Sequence, residues 1–337
     1  MLLVEIRLRQ HGISFNTENM KTYIPFYRRT PPALFPCLLG LIGFALLWTK
    51  MAEFGAPIWI GEALGAIAFG MFGFTFVCYA TKLILRPSVV LDDLKIGPAR
   101  GAVSAGSVCL LLLAALILPY DFRVAGAVWW AGLVLQVVYL ACVIITLKSV
   151  ENMRATLTPV LLLPFVGFIV AAIAGPDLGY RGLSIAILAL ASPLYFWIAI
   201  ESLLNAKTRG VEPPNRAGFA ILLAPPSVYA VASYFIWNDA VFYWFWLVAL
   251  IAGLALVPFI PWMVRGGFKP SWGAFTFPLT AFTMWMMLGV QAGISAAVVP
   301  MGIGVALSSV VVPYVVYKTF SAWGSGQLAT ATKAAVA

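Results

Sequence analysis

The stretch SWGAFTFPLTAF at residues 271–282 sets a proline, Pro278, directly behind a bulky aromatic residue, Phe277. It opens a segment without any charged residue from Pro270 to Tyr317. Such a segment is typical of membrane-spanning helices, which need about 20 apolar residues to cross the hydrocarbon layer. Proline removes a backbone hydrogen bond, so neighbouring groups or a water-filled space must compensate the freed carbonyl at membrane depth. The stretch therefore predicts a bent helix inside a membrane protein.

The composition of the whole chain supports this interpretation. The chain has 337 residues, of which 62% are hydrophobic and 10% are charged, and its mean hydropathy is +0.98. A soluble domain carries roughly a quarter charged residues, so there is too little polar surface here to cover a particle in water. The net charge of +9 comes from short basic clusters between apolar runs, which argues against a nucleic-acid partner. The predicted fold class is an all-α polytopic membrane protein.

Ten apolar runs are long enough to be membrane spans, and short connections predict that they pair as five helical hairpins. The predicted spans are 33–50, 58–82, 101–119, 125–147, 158–175, 182–204, 217–237, 240–264, 271–290 and 293–317.

Charge predicts the orientation of these spans. With ten spans, 18 of the 21 Lys and Arg residues fall on the side that holds both termini, and only Lys50, Arg123 and Arg181 fall on the other. The positive-inside rule therefore places both termini in the cytoplasm. The predicted organisation is a cytoplasmic tail at 1–32, a membrane domain at 33–318 and a cytoplasmic tail at 319–337, with Met1 and Met20 both open as the start of translation.

The spans contain almost no group that could carry out chemistry. Glu62 and Glu201 lie near span ends, which favours interfacial positions over a proton relay. The single histidine, His11, excludes a histidine-based metal site or triad within one subunit, and the four cysteines have no metal-type spacing. There is no phosphate-binding loop and no hydrolase motif. We expect neither an enzyme nor a protein with a metal or cofactor.

The odd-numbered spans contain prolines, glycines and small hydroxyls. These residues predict an inner ring of bent, neutral helices surrounded by the even-numbered spans. The candidate pore-lining or kink residues are Pro36, Gly40, Gly106, Pro164, Pro225 and Pro278. The candidate pore hydroxyls are Ser107, Ser227, Thr276 and Thr280. Phe277 fits two roles on these arguments alone, a plug in a neutral pore or an ordinary packing aromatic.

Four segments carry a resemblance to a known family: PWMVRGGFKPSWGAFTFPLTAF (261–282), RAGFAILLAPPSVYAVASYF (216–235), LFPCLLGLIGFALLW (34–48) and TPVLLLPFVGFIVAAIAG (158–175). The chain resembles the tellurite-resistance/C4-dicarboxylate transporter family, which includes TehA-like proteins and plant slow anion channels. The resemblance implies five helical hairpins around a quasi-fivefold central pore, homotrimers with one pore in each protomer, and Phe277 as the residue that closes the pore.

Two departures from the family pattern concern the shape of the pore. In the first helix Phe35 is followed directly by Pro36, and the third helix has Gly106 where a proline is common. The leading hypothesis is a channel or channel-like exporter in a bacterial inner membrane, with membrane lipid and small anions of the tellurite, dicarboxylate, sulfite, nitrate or chloride class as its partners. A proton-coupled C4-dicarboxylate (malate) transporter and a non-transporting membrane sensor or scaffold are the alternatives.

Overall fold

Nine helices of the described chain are long and apolar enough to cross a membrane, and a tenth apolar segment is shorter. The structure is a computed structural model, and it describes residues 25–337 apart from Ser149, Glu151 and Asn238. It confirms an all-α polytopic membrane protein. In chain order the segments are α1 (Leu34–Phe54), α2 (Ile58–Leu85), α3 (Gly97–Ile117), α4 (Phe122–Lys148), the shorter α5 (Pro159–Ala174), α6 (Arg181–Arg209), α7 (Pro213–Ile236), α8 (Ala240–Val264), α9 (Pro270–Gln291) and α10 (Ser295–Gly324).

Short elements lie at the ends of these segments. A 3₁₀ turn at Phe26–Arg29 precedes α1, and short helices at Val89–Leu94 and Met153–Thr156 lie in the connections after α2 and α4. The last helix continues to Gly324, past the predicted end of the membrane domain at residue 318, and a short helix at Gln327–Ala331 follows it. Most of the predicted N-terminal tail lies outside the described residues.

The shorter segment α5 alternates between two kinds of helix. A 3₁₀ turn at Pro159–Leu161 leads into an α-helical turn at Leu162–Val166, and the pattern repeats with Gly167–Val170 and Ala171–Ala174. Proline and glycine within the segment weaken a regular α-helix. Because a 3₁₀ helix rises about 2.0 Å per residue and an α-helix about 1.5 Å, the segment is about 27 Å long despite its few residues.

The odd-numbered and even-numbered segments differ in burial. In α1, α3, α7 and α9, 67–83% of the residues in the apolar window are buried, against 17–33% in the even-numbered segments. Most of α5 is buried as well. The even-numbered segments expose many large apolar side chains, a surface that suits lipid and not water. This arrangement agrees with the predicted inner and outer rings.

Packing between the odd-numbered segments closes a ring. In the described chain α1 packs against α3, α3 against α5, α5 against α7, α7 against α9, and α9 against α1. Each even-numbered segment packs on the odd-numbered segment that precedes it, so the chain is a series of hairpins. The side chains that face the centre of the molecule therefore come from five segments.

Candidate functional site

A cavity of about 490 Å³ lies inside the ring and is lined by all five odd-numbered segments. Its wall within the ring includes Pro36 and Leu39 of α1, Ala102 and Val108 of α3, Val166 and Val170 of α5, Ile221, Pro225 and Val228 of α7, and Ala274, Phe277 and Pro278 of α9. A space shared by every member of the ring is the natural candidate for a passage.

The chemistry of the wall changes along the cavity. The residues within the ring are apolar, whereas the charged residues that line the described cavity are Asp93, Glu212, Lys269 and Lys333. These four residues lie at the end of the ring at which the odd-numbered segments begin. We call it the basic end, because the predicted topology gathers most Lys and Arg residues on that side. The cavity thus passes from a charged mouth into an uncharged interior.

Phe277 forms part of the apolar wall. Its side chain is 7% exposed and lines the cavity next to Pro278. It lies seven residues beyond Pro270, which is about 10 Å along the helix from the basic end. Pro278 lies inside the α-helical part of α9 and has no N–H to donate to the carbonyl of Ala274, which also lines the cavity. The proline and the aromatic ring singled out in the sequence therefore lie together at the cavity.

The other candidate prolines and glycines have two different positions. Pro36 and Pro225 line the cavity. Pro36 lies in the first turn of α1, where proline removes no intrahelical hydrogen bond, whereas Pro225 lies within α7 where its 3₁₀ part (Pro213–Leu223) changes to α-helix (Ala224–Ile236). Gly40, Gly106 and Pro164 are outside the lining. A Cβ at Gly40 would overlap Thr276, and one at Gly106 would lie 3.4 Å from the ring of Phe35, so both glycines lie where helices pack closely.

The four candidate hydroxyls are also outside the cavity lining, and each donates to a carbonyl oxygen. Ser107 donates to the carbonyl of Ser104 at 2.8 Å, and Ser227 to that of Leu223 at 2.9 Å. The donations from α9 are Thr276 to the carbonyls of Gly273 at 2.8 Å and Pro36 at 3.1 Å, and Thr280 to that of Phe277 at 3.0 Å. These hydroxyls donate to backbone carbonyls within and between the helices.

Gln136 of α4 is a residue of the site that the sequence analysis missed. It is fully buried, and its Nε2 donates to the carbonyls of Leu163 at 2.8 Å and Pro164 at 3.2 Å. Its Oε1 accepts from Ser107. It therefore satisfies carbonyls at the irregular part of α5 from outside the ring. A lone amide in the apolar run 125–147 was the signal that could have revealed it.

A closed ring of buried helices around an apolar cavity, in a shell of helices with apolar outer surfaces, defines a polytopic membrane protein built around a central cavity. The family model described as SLAC1, voltage-dependent anion channel, matches residues 29–321. The chain belongs to this family, which confirms the resemblance found in the sequence and indicates an anion channel or transporter. A search of curated proteins finds no match.

Proposed function

We propose that the chain conducts small anions through the centre of the ring and that Phe277 closes the passage. The observation that carries the proposal is the cavity to which all five odd-numbered segments contribute, with Phe277 in its wall. The substrate class is that of the sequence analysis: tellurite, dicarboxylate, sulfite, nitrate or chloride.

The apolar wall determines how an anion would pass. The free energy needed to remove water from an ion is far larger than the favourable interactions that an uncharged, apolar tube offers. The anion must therefore keep part of its hydration shell. A hydrophobic constriction that loses its water then blocks the ion without any charged gate. A bulky ring in the wall is suited to make such a constriction, and its removal should leave room for water.

The basic end is suited to collect anions. All five odd-numbered segments begin there, so the positive ends of their helix dipoles point toward the mouth of the cavity. Lys269 and Lys333 line the same mouth. Asp93 and Glu212 line it as well, but Asp93 is paired with the buried Lys82, so the helix ends and the two lysines outweigh the one remaining acidic charge. The resulting field raises the local concentration of anions without creating a tight binding site, which suits conduction.

We further propose ten spans, as five hairpins around a quasi-fivefold axis, with α5 as the fifth crossing. Its length of about 27 Å is close to the hydrocarbon thickness of about 30 Å. The charge asymmetry favours a cytoplasmic basic end with both termini on that side. Location in a bacterial inner membrane and assembly as a homotrimer complete the proposal; the trimer follows from the resemblance alone.

The positions of the two carboxylates favour uncoupled conduction over proton-coupled dicarboxylate uptake. Glu62 is exposed on α2, and Glu201 of α6 faces Arg154 with 3.8 Å between Glu201 Oε1 and Arg154 Nε. Neither lines the cavity. A coupling carboxylate should lie on the path of the substrate, where its protonation can alter binding.

The direct test is anion flux from proteoliposomes across a panel of these anions. Phe277→Ala should increase the flux, because the constriction loses its ring. Phe275→Ala is the matched control: Phe275 lies on the same helix, packs against Trp272 with ring centroids 5.7 Å apart, and is outside the cavity lining. Equal fluxes from the parent and both variants would refute the gate, and flux that disappears when the proton gradient is collapsed would favour coupled transport.

A further inference from the structure

The C-terminal segment 327–337 contributes to the wall at the basic end of the cavity. Its residues in the wall are Ala331, Thr332, Lys333 and Ala334, and residues from the starts of the ring helices, such as Pro98 and Lys269, line the same cavity. The route from the ring to the basic side is therefore bounded by a piece of chain that belongs to neither ring of helices.

A helix cap reverses the chain where this segment lines the cavity. The short helix Gln327–Ala331 is followed by Lys333 in a left-handed conformation, with φ 52°. The N–H of Lys333 donates to the carbonyl of Thr330 at 3.2 Å, and that of Ala334 donates to the carbonyl of Ala329 at 2.9 Å. This is the pair of hydrogen bonds of a Schellman motif, which ends a helix and reverses the chain.

Beyond the cap, backbone hydrogen bonds attach the segment to three elements of the basic end. The N–H of Ala335 donates to Asp93 Oδ1 at 2.8 Å, Arg86 donates to the carbonyl of Val336 at 2.8 Å, and the N–H of Ala337 donates to the carbonyl of Arg28 at 3.0 Å. Before the cap, Leu328 is 1% exposed and packs into the main apolar core. The segment is thus anchored on both sides of the residues that line the mouth.

The groups that hold the segment are themselves held in place. Asp93 Oδ2 accepts from Lys82 Nζ at 2.7 Å and from Tyr79 at 3.2 Å, and the Lys82 and Asp93 side chains are fully buried. Arg86 is paired with Asp92. A hydrogen bond from Lys95 holds the pKa of Asp92 below its ordinary value, which favours the charged form that pairs with Arg86.

We propose that segment 327–337 is a second closure of the passage, in series with Phe277, which opens by undocking from Arg28, Arg86 and Asp93. The proposal rests on the proposed anion conduction for its physiological meaning, although the closure itself is a physical property of the mouth. A short segment attached by a few backbone hydrogen bonds and one buried leucine is a unit of low local stability, as reversible gating requires.

The test that needs no conduction is thiol labelling of a cavity residue. Ala274→Cys places a thiol in the wall of the cavity, and an impermeant methanethiosulfonate reports its accessibility in the intact protein. The native cysteines are counted in the parent, where Cys37, Cys78 and Cys109 are buried. Ala335→Pro removes the N–H that donates to Asp93, whereas Ala335→Ser keeps it and serves as the matched control.

Labelling of the Ala274→Cys protein should become about fivefold faster with Ala335→Pro, the effect of one lost hydrogen bond on a docking equilibrium, and faster still when residues 327–337 are removed. Ala335→Ser should leave the rate unchanged. Equal rates in all four proteins would overturn the closure. Melting temperatures of the four proteins verify that the helix ring is intact.

Flux measurements then separate this proposal from the proposed function. Flux is measured for the parent, for Phe277→Ala, for the protein without residues 327–337 and for the protein with both changes. If removal of the segment accelerates labelling but none of the four proteins conducts anions, the closure is retained and anion conduction is refuted. If Phe277→Ala increases the flux while removal of residues 327–337 changes neither the flux nor the labelling rate, the closure is refuted and the gate at Phe277 is retained. The largest flux in the double variant supports two closures in series.

Discussion

Gly40 of α1 lies directly against Thr276 of α9, so that a Cβ at position 40 would overlap the threonine side chain. The Thr276 hydroxyl also donates to the carbonyl of Pro36 at 3.1 Å. Farther along α1, a Cβ at Gly43 would lie 3.6 Å from the ring of Phe277. Close contact with α1 therefore fixes the part of α9 that carries Phe277.

Substitution of Gly40 by Ala should force α1 and α9 apart. The added methyl group has no free space, and overpacking of this kind costs about 1–3 kcal/mol of the free energy of unfolding. We expect a lower melting temperature in detergent. Gly70→Ala is the control, because Gly70 lies in α2 with no atom within 4 Å of a Cβ at that position. An equal effect of the two substitutions would contradict the close contact.

Gln136→Leu should destabilise the protein through α5. The leucine keeps the approximate volume but removes the Nε2 donor to the carbonyls of Leu163 and Pro164 in the apolar interior, and leaves the Leu163 carbonyl with only the N–H of Gly167. The expected loss is about 1–2 kcal/mol of the free energy of unfolding. Val137→Leu, at the adjacent position with 57% exposure, is the control. Identical thermal stability of the Gln136→Leu protein and its parent would show that α5 needs no such partner.

The buried pair of Lys82 and Asp93 should show strong coupling in a double-mutant cycle. Their 2.7 Å contact is fully buried, so removal of one partner leaves a charge without compensation and costs about 3–5 kcal/mol. Lys82→Met and Asp93→Asn should each reduce the melting temperature, and the double variant should recover a large part of the loss. If the two losses are additive, the pair is not a unit.

The sequence predicted the segments from their apolar length, and which of them lie inside from their prolines, glycines and small hydroxyls, because these are local properties of the chain. It did not predict where the hydroxyls point. Thr276 donates to the carbonyl of Pro36, which is 240 positions away, and Ala335 donates to Asp93, which is 242 positions away. Such partners become neighbours only through the packing of the ring. From the sequence alone, a hydroxyl in a proline-containing helix is therefore equally consistent with a pore-lining group and with a hydrogen-bond donor to a carbonyl.

Lys269 should attract anions to the basic end by its charge alone. It lies at the mouth of the cavity, and neutralisation by Lys269→Gln removes one positive charge from the path without altering the apolar wall. At low ionic strength we expect about a twofold loss of anion flux, because the local anion concentration falls with the potential at the mouth. At about 1 M salt, where the screening length is about 3 Å, the difference should vanish. Lys207→Gln, an exposed lysine outside the cavity lining, should have no effect at either salt concentration. A loss that persists at high salt would mean that Lys269 binds the anion directly.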